Sequence, residues 1–290
     1  MSRYFKEKIS NFVSICRPEQ YYKNLVIFLA IFFSGNIFNF DLIFLTLMGF
    51  FALSLMSSVN YILNDIYDRK RDLFSKDKLS KPIASGKISV TSGAIFALIL
   101  FSFSIFLSYT INFHFMVSLL ALFLLSTIYS MFLKNEIFID LILISTNFVI
   151  RAVSGAYIIG VWVSPWLIIG TFFLAFFLAT AKRKVEINIL SDKATLFRPV
   201  LKKYSDQMLN AMLQINAGVL LLCYALYCFL GNNPELIISF PIVLYIVLRY
   251  IYLTYAGSPK VRSPEKIFSD VRITSGILLY KALTFLLLYL

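Results

Sequence analysis

Nine apolar windows dominate the chain, at residues 25–40, 42–63, 89–109, 113–133, 137–159, 164–181, 208–230, 235–256 and 271–290. A helix needs about 20 apolar residues to cross the hydrocarbon core of a bilayer, and the windows match that length, the first being the shortest. They are long and mostly unbroken by charge, so they predict spanning helices and not the alternating strands of a barrel. Ahead of the first window, Phe5, Ile9, Phe12 and Cys16 recur at helical spacing, with Arg3, Lys6 and Lys8 elsewhere around the helix. Residues 3–16 therefore predict an amphipathic helix lying in the headgroup region and ended by Pro18. The expected architecture is an all-α polytopic membrane protein. Its nine transmembrane helices form a single domain over residues 1–290, preceded by an interfacial segment at 1–23.

Composition agrees. The 290 residues are 59% hydrophobic and only 14% charged, where a soluble domain would be about a quarter charged. Mean hydropathy is +0.80. Threading nine spans alternates the connections between two sides. One side receives 1–23, 64–88, 134–136, 182–207 and 257–270; the other receives 34–41, 110–112, 160–163, 231–234 and the C-terminus. The second set contains no Lys or Arg. By the positive-inside rule the N-terminus is cytoplasmic and the C-terminus outside, and the formal charge of +12 is a cytoplasmic feature suited to phosphorylated substrates or anionic headgroups. No base-reading module is recognisable in the basic loops, so nucleic acid is not the expected partner. Three cysteines, Cys16, Cys223 and Cys228, imply no disulfide framework. His114 is the only histidine, which excludes His-based zinc sites. The first residues show no cleavable signal peptide.

The chemistry candidates lie in the cytoplasmic loops 64–88 and 182–207. Asn64-Asp65-Ile66-Tyr67-Asp68-Arg69-Lys70-Arg71-Asp72 emerges directly from an apolar helix. Carboxylates at i, i+3 and i+7 fall on one helical face, so Asp65, Asp68 and Asp72 are expected to point at one object. Three close carboxylates repel unless a cation sits among them, and oxygen-only ligands favour a hard ion such as Mg²⁺, which completes its shell with substrate phosphates. Seven Lys or Arg lie between Arg69 and Lys87, among them Lys78 and, opening the KPIASGK stretch, Lys81, and supply partners for phosphate oxygens. The second loop opens on Lys182-Arg183-Lys184-Val185-Glu186, in which Lys182 and Glu186 are placed to pair or to face a ligand together.

Within the spans, Asp140, Asn147 and Arg151 follow at +7 and +4 on one helical stripe. An arginine at that depth costs on the order of 3 kcal/mol, so it is expected to face a cavity or a partner. The stripe reads either as a polar wall leading into the bundle or as a structural Asp–Arg contact. Lys281 is expected to snorkel or pair. Asn60 and Asn64 lead into the Asp cluster, and Lys23 and Asn24 open the first span.

With these motifs the chain resembles the UbiA-type intramembrane prenyltransferase superfamily, in which NDxxDxxxD closes the second of nine helices around a central cavity open to the cytoplasm. It is most similar to the decaprenyl-phosphate phosphoribosyltransferase branch. The shared stretches are RPEQYYKN (17–24, Tyr21 standing where the branch has Trp), KPIASGKIS, DLILISTNFVIRAVSGA (140–156), SPWLIIGTFFLAFFLATAKRKVE and RPVLKKYS (198–205). Ordinary members carry a second Asp-rich motif at the end of the sixth helix, and here that position is the basic run from Lys182. Ser75-Lys76 replaces the branch's His-Pro, and Lys81 its Arg.

The resemblance implies transfer of 5-phosphoribose from phosphoribosyl pyrophosphate to a polyprenyl phosphate at a bacterial-type inner membrane, with Mg²⁺ as cofactor. It also implies roles. Asp65, Asp68 and Asp72 take the metal, with Asn64 in support. Lys78, Lys81, Lys182 and Arg183 take donor phosphates. Lys23, Asn24, Lys134 and Arg151 take the lipid phosphate or ribose, with Asp140 and Glu186 orienting them. Two alternatives stay open: an aromatic prenyltransferase using prenyl diphosphate, and a transporter of an anionic solute. Homo-oligomerisation is compatible with either.

Overall fold

The computed structural model describes residues 2–73, 80–190, 199–231 and 233–289, and among them every regular element is helical. The order is α1 (Ser2–Cys16), a 3-10 segment (Pro18–Phe28), α2 (Leu29–Phe33), α3 (Phe40–Tyr67), α4 (Arg69–Asp72), α5 (Val90–Ile111) and α6 (Phe113–Ile128), which runs on into a π turn (Tyr129–Leu133). Then come α7 (Ile139–Ile159), α8 (Pro165–Leu190), a 3-10 turn (Pro199–Lys203), α9 (Asp206–Leu230), α10 (Phe240–Tyr255), α11 (Pro259–Arg262) and α12 (Val271–Tyr289). Among the described residues, 8 helices are long and apolar enough to cross a membrane. Several of these start on the cap that their sequence supplies: the Asn39, Ser89 and Ser205 side chains accept hydrogen bonds from the backbone N–H groups of Leu42, Ser92 and Met208.

The chain divides into two compact units, Met1–Leu133 with Ile150–Trp162, and Lys134–Val149 with Val163–Leu290. The first is packed around α3, whose buried face presents Leu53, Met56, Val59 and Ile62 together with the small polar Ser54, Ser57 and Ser58. Ile15 of α1, Ile83 and Phe115 are buried in the same unit. Ile95, Leu98, Ile99, Phe103 and Phe106 of α5 stand exposed, the surface a lipid-facing helix presents. The core of the second unit joins Phe177, Ala181 and Val185 of α8 to Leu213 and Ala217 of α9 and to Val247, Tyr250 and Leu253 of α10.

The first apolar window does not form a long α-helix. Its place is taken by a 3-10 segment of 11 residues and an α-helix of 5 residues, together on the order of 30 Å of helix if laid end to end. The reason lies in what the segment packs against. With three residues per turn, Tyr21, Asn24 and Ile27 eclipse one another in a single row. Tyr21 Oη meets Ser58 Oγ at 2.8 Å, and Asn24 Nδ2 donates to Ser54 Oγ at 3.0 Å. Three residues of 3-10 helix and four of α-helix both rise about 6 Å, so the two antiparallel rows stay in step. Ile27 comes against α7, where its carbonyl lies 2.0 Å from the position a Cβ would take on Gly155; only glycine admits that approach.

Candidate functional site

The Asp cluster sits where α3 ends. The helix stops at Tyr67, Asp68 is its C-cap residue, and α4 carries the chain on to Asp72. Asp68 N–H donates to the Asn64 carbonyl and Asp72 N–H to the Asp68 carbonyl, both at 2.9 Å, so helical spacing persists across the break. Asp65 and Asp72 are buried, at 3% and 1% exposure, and Asp68 is half-buried. The expectation that all three carboxylates converge is met by two of them. Lys81 Nζ lies 2.7 Å from Asp65 Oδ1 and 2.7 Å from Asp72 Oδ2. Among the described residues no three His, Cys, Asp or Glu groups come together at metal-binding spacing.

A fourth residue completes the cluster. Arg17 Nη2 donates to Asp65 Oδ1 at 2.6 Å, and its guanidinium stands 5.2 Å over the Tyr61 ring. Arg17 has left-handed backbone angles, φ 53° and ψ 58°, which cost a non-glycine residue roughly 1–2 kcal/mol. That turn joins α1 to the 3-10 segment and aims the side chain at the carboxylate. Arg17 belongs to the RPEQYYKN stretch, but neither its spacing nor its charge in sequence marks it as a partner of Asp65, 48 residues away.

The arrangement suits a divalent cation. Two buried carboxylates face one point already occupied by positive charge, the ammonium of Lys81 standing in for an ion, and Mg²⁺ takes one or two carboxylates and leaves the rest of its shell to water and phosphate. Beside it a groove of about 230 Å³ is lined by Asn60, Leu63, Asn64, Ile66 and Tyr67 of α3 and by Thr127, Ser130 and Met131.

Deeper in the same unit, Arg151 is buried, and its Nε donates to Asn24 Oδ1 at 2.9 Å. Asn24 thus ties Arg151 to Ser54 of α3. Lys23 is half-buried, with its ammonium 5.9 Å from the Tyr22 ring. Lys78 lies outside the described residues.

The second unit holds a separate ionic group. Arg183, 1% exposed, donates from Nε to Asp140 Oδ2 at 3.1 Å and from Nη1 to Glu186 Oε2 at 2.9 Å. Tyr204 Oη donates to Asp140 Oδ1 at 2.6 Å and accepts the Phe138 N–H at 2.9 Å. Burial, and then the hydrogen bond to Asp140, push the Tyr204 phenol above its ordinary value, so it remains a donor to the carboxylate. This corrects two expectations. Arg183 is enclosed by Asp140 and Glu186 and braces the start of α7 against the end of α8, so it does not present a guanidinium to a phosphate. The structural Asp–Arg contact exists, but Asp140 makes it with Arg183 and not with Arg151, since 11 residues of helix separate the latter two by about 16 Å. Lys184 is also engaged, with Asp206 at 2.6 Å and under the Tyr255 ring at 5.0 Å. Lys182, Lys134 and Glu186 are half-buried. Tyr204 was not singled out from sequence; its only signal was membership of RPVLKKYS.

A model of the UbiA prenyltransferase family matches residues 24–269. Decaprenyl-phosphate phosphoribosyltransferase of Mycolicibacterium smegmatis is 25% identical over 77% of this chain and 72% of its own length. The Corynebacterium glutamicum protein of the same name is 27% identical over 77% of this chain and 69% of its own length. Among solved structures, a UbiA homolog from Archaeoglobus fulgidus bound to DMAPP and Mg²⁺ superposes with a TM-score of 0.73 over 96% of this chain and 99% of that one, at 19% identity.

Proposed function

We propose that this chain, which belongs to the UbiA prenyltransferase family, transfers 5-phosphoribose from phosphoribosyl pyrophosphate to a polyprenyl phosphate. A lipid phosphate oxygen bonds to the anomeric carbon as the bond from that carbon to the pyrophosphate oxygen breaks. The nucleophile is already an anion at neutral pH, so the reaction asks for charge stabilisation and alignment more than for a general base. The observation that carries the reading is the position that in ordinary members holds a second carboxylate cluster for prenyl diphosphate. Here the run is mostly basic and its one carboxylate, Glu186, is engaged with Arg183, so the position offers no second carboxylate cluster, which suits a donor with one metal-bound diphosphate and one further, metal-free phosphate. The names of the mycobacterial and corynebacterial relatives support the same assignment.

Asp65 and Asp72 would hold Mg²⁺, with Asp68 reaching it through water and Asn64 in support. The ion supplies charge neutralisation on the leaving diphosphate. The Archaeoglobus homolog's Mg²⁺ supports divalent-metal use. Lys81 and Lys182 would bind donor phosphates. Arg151, oriented by Asn24, would bind the lipid phosphate or ribose with Lys23 and Lys134, and the groove beside Asn64 would receive part of the isoprenoid chain. The topology we assign is nine spans, with residues 18–33 as the first, the N-terminus cytoplasmic and the site facing the cytoplasm.

The test is a radiolabelled assay on purified protein. Phosphoribosyl pyrophosphate with a polyprenyl phosphate should give labelled lipid and pyrophosphate, and an aromatic acid with prenyl diphosphate should give nothing. The reverse outcome would leave the fold standing and remove the phosphoribosyl assignment.

A further inference from the structure

Among the described residues, four charged side chains are joined by ion pairs at the end of α3, two of each sign. Asp65 and Asp72 contribute two negative charges, Lys81 and Arg17 two positive ones, and all are linked at 2.6–2.7 Å. The carboxylates are almost wholly buried, whereas the Lys81 side chain keeps 24% of its surface exposed. The backbone that presents Lys81 is fixed. Ser85 N–H donates to the Lys81 carbonyl at 2.9 Å and Ile88 N–H to that of Pro82 at 3.0 Å, while Ile83, Ala84 and Ile88 are buried beneath the turn. What can move is the flexible four-carbon stem and its compact ammonium, which turns readily from one anion to another.

We infer that Lys81 is the internal counter-ion of the Asp65–Asp72 pair and makes uptake of a divalent cation conditional on the arrival of a diphosphate group. Lys81 has to leave both carboxylate oxygens before a metal ion can take them. With metal alone, the ammonium is displaced from two charge-assisted contacts into a site that now carries excess positive charge. With a diphosphate present, the same ammonium passes from carboxylate to phosphate and the charges balance again. Metal and diphosphate thereby strengthen each other's binding, as linkage requires, and the empty site is held together without metal. The inference rests on the proposed function only in taking Asp65 and Asp72 as the metal's carboxylates.

The experiment uses the full chain in detergent and Mn²⁺ alone as probe, read from the loss of the free-ion electron paramagnetic resonance signal. Lys81→Met should bind Mn²⁺ at least about tenfold more tightly than wild type, the scale of a lost charge-assisted contact. Lys81→Arg, which keeps the charge, should stay within a few-fold of wild type. In EDTA, Lys81→Met should melt below wild type, and Mn²⁺ should close the gap. Wild-type protein gives a reading that needs no variant to fold: saturating Mn²⁺ should increase acetylation of Lys81 by a small amine reagent, and added pyrophosphate should suppress it. Equal or weaker Mn²⁺ binding by Lys81→Met, or Lys81 acetylation unchanged by Mn²⁺, would overturn the inference. None of these measurements contains phosphoribosyl donor or lipid, so their failure is distinct from failure of the turnover assay.

Discussion

Replacing Arg183 by methionine separates a structural arginine from a phosphate ligand. The guanidinium is buried and bridges Asp140, itself 0% exposed, and Glu186. Removing one partner of such a bridge leaves a buried carboxylate without its counter-charge, a loss of about 3–5 kcal/mol. Tyr204 would still donate to Asp140, which places the expected loss toward the lower end of that range. Asp140→Asn removes the orphaned charge while keeping an acceptor for Tyr204. The double variant should therefore recover part of the loss, with a coupling energy of roughly 1–3 kcal/mol. The assay is unfolding by increasing dodecyl sulfate in mixed micelles, run beside donor KM on the folded fraction. Arg183→Met should unfold much earlier, whereas Lys182→Ala should keep its stability and raise donor KM about tenfold or more. An Arg183→Met protein as stable as wild type but with a weakened donor KM would refute the structural assignment.

Asp65→Asn and Asp72→Asn should each lower turnover by orders of magnitude at fixed Mg²⁺ while leaving membrane yield intact; full activity of either variant, or of wild type in EDTA, would exclude the metal role. Gly155→Ala should be among the most damaging small substitutions in the chain. Its Cβ would lie 2.0 Å from the Ile27 carbonyl oxygen, so the 3-10 segment must shift as a body, at a cost near or above about 3 kcal/mol. A thermal melt of Gly155→Ala indistinguishable from wild type would show that this close approach does not exist.

Most helices were legible because bilayer crossing leaves a simple signature, a long apolar window closed by polar residues. The eight longest windows reappear as helices, seven within a few residues of their expected bounds and α8 running nine residues beyond its expected end at 181. The first was misread as one more α-helix because hydropathy reports burial and not hydrogen-bonding pattern; what selects the 3-10 form is the row of serines on α3 and the bare Gly155 on α7, far away in sequence. The site was legible to the extent that its residues are neighbours in the chain. Asp65 and Asp72 follow from helical spacing, which the backbone hydrogen bonds of Asp68 and Asp72 carry past the end of α3. Arg17 reaches Asp65 only through a left-handed turn, and Asp140 meets Arg183 only through tertiary packing. Basic residues were the hardest to assign: Lys182 and Arg183 are adjacent and of like charge, yet one is half-buried and the other enclosed.

The matched pitch of the 3-10 segment and α3 also governs how this corner of the molecule would tolerate change. In a saturation mutagenesis screen, intolerance should recur every third position from Tyr21 to Ile27, facing intolerance every fourth position between Ser54 and Ser58. A search for the helical period of 3.6 would pass over both. Substitution is then the gentle perturbation and insertion the severe one, for a single added residue after Tyr21 slides Asn24 off Ser54 and takes the support of Arg151 with it. Alignments of distant relatives should accordingly stay gap-free across residues 18–28 even where few side chains are shared.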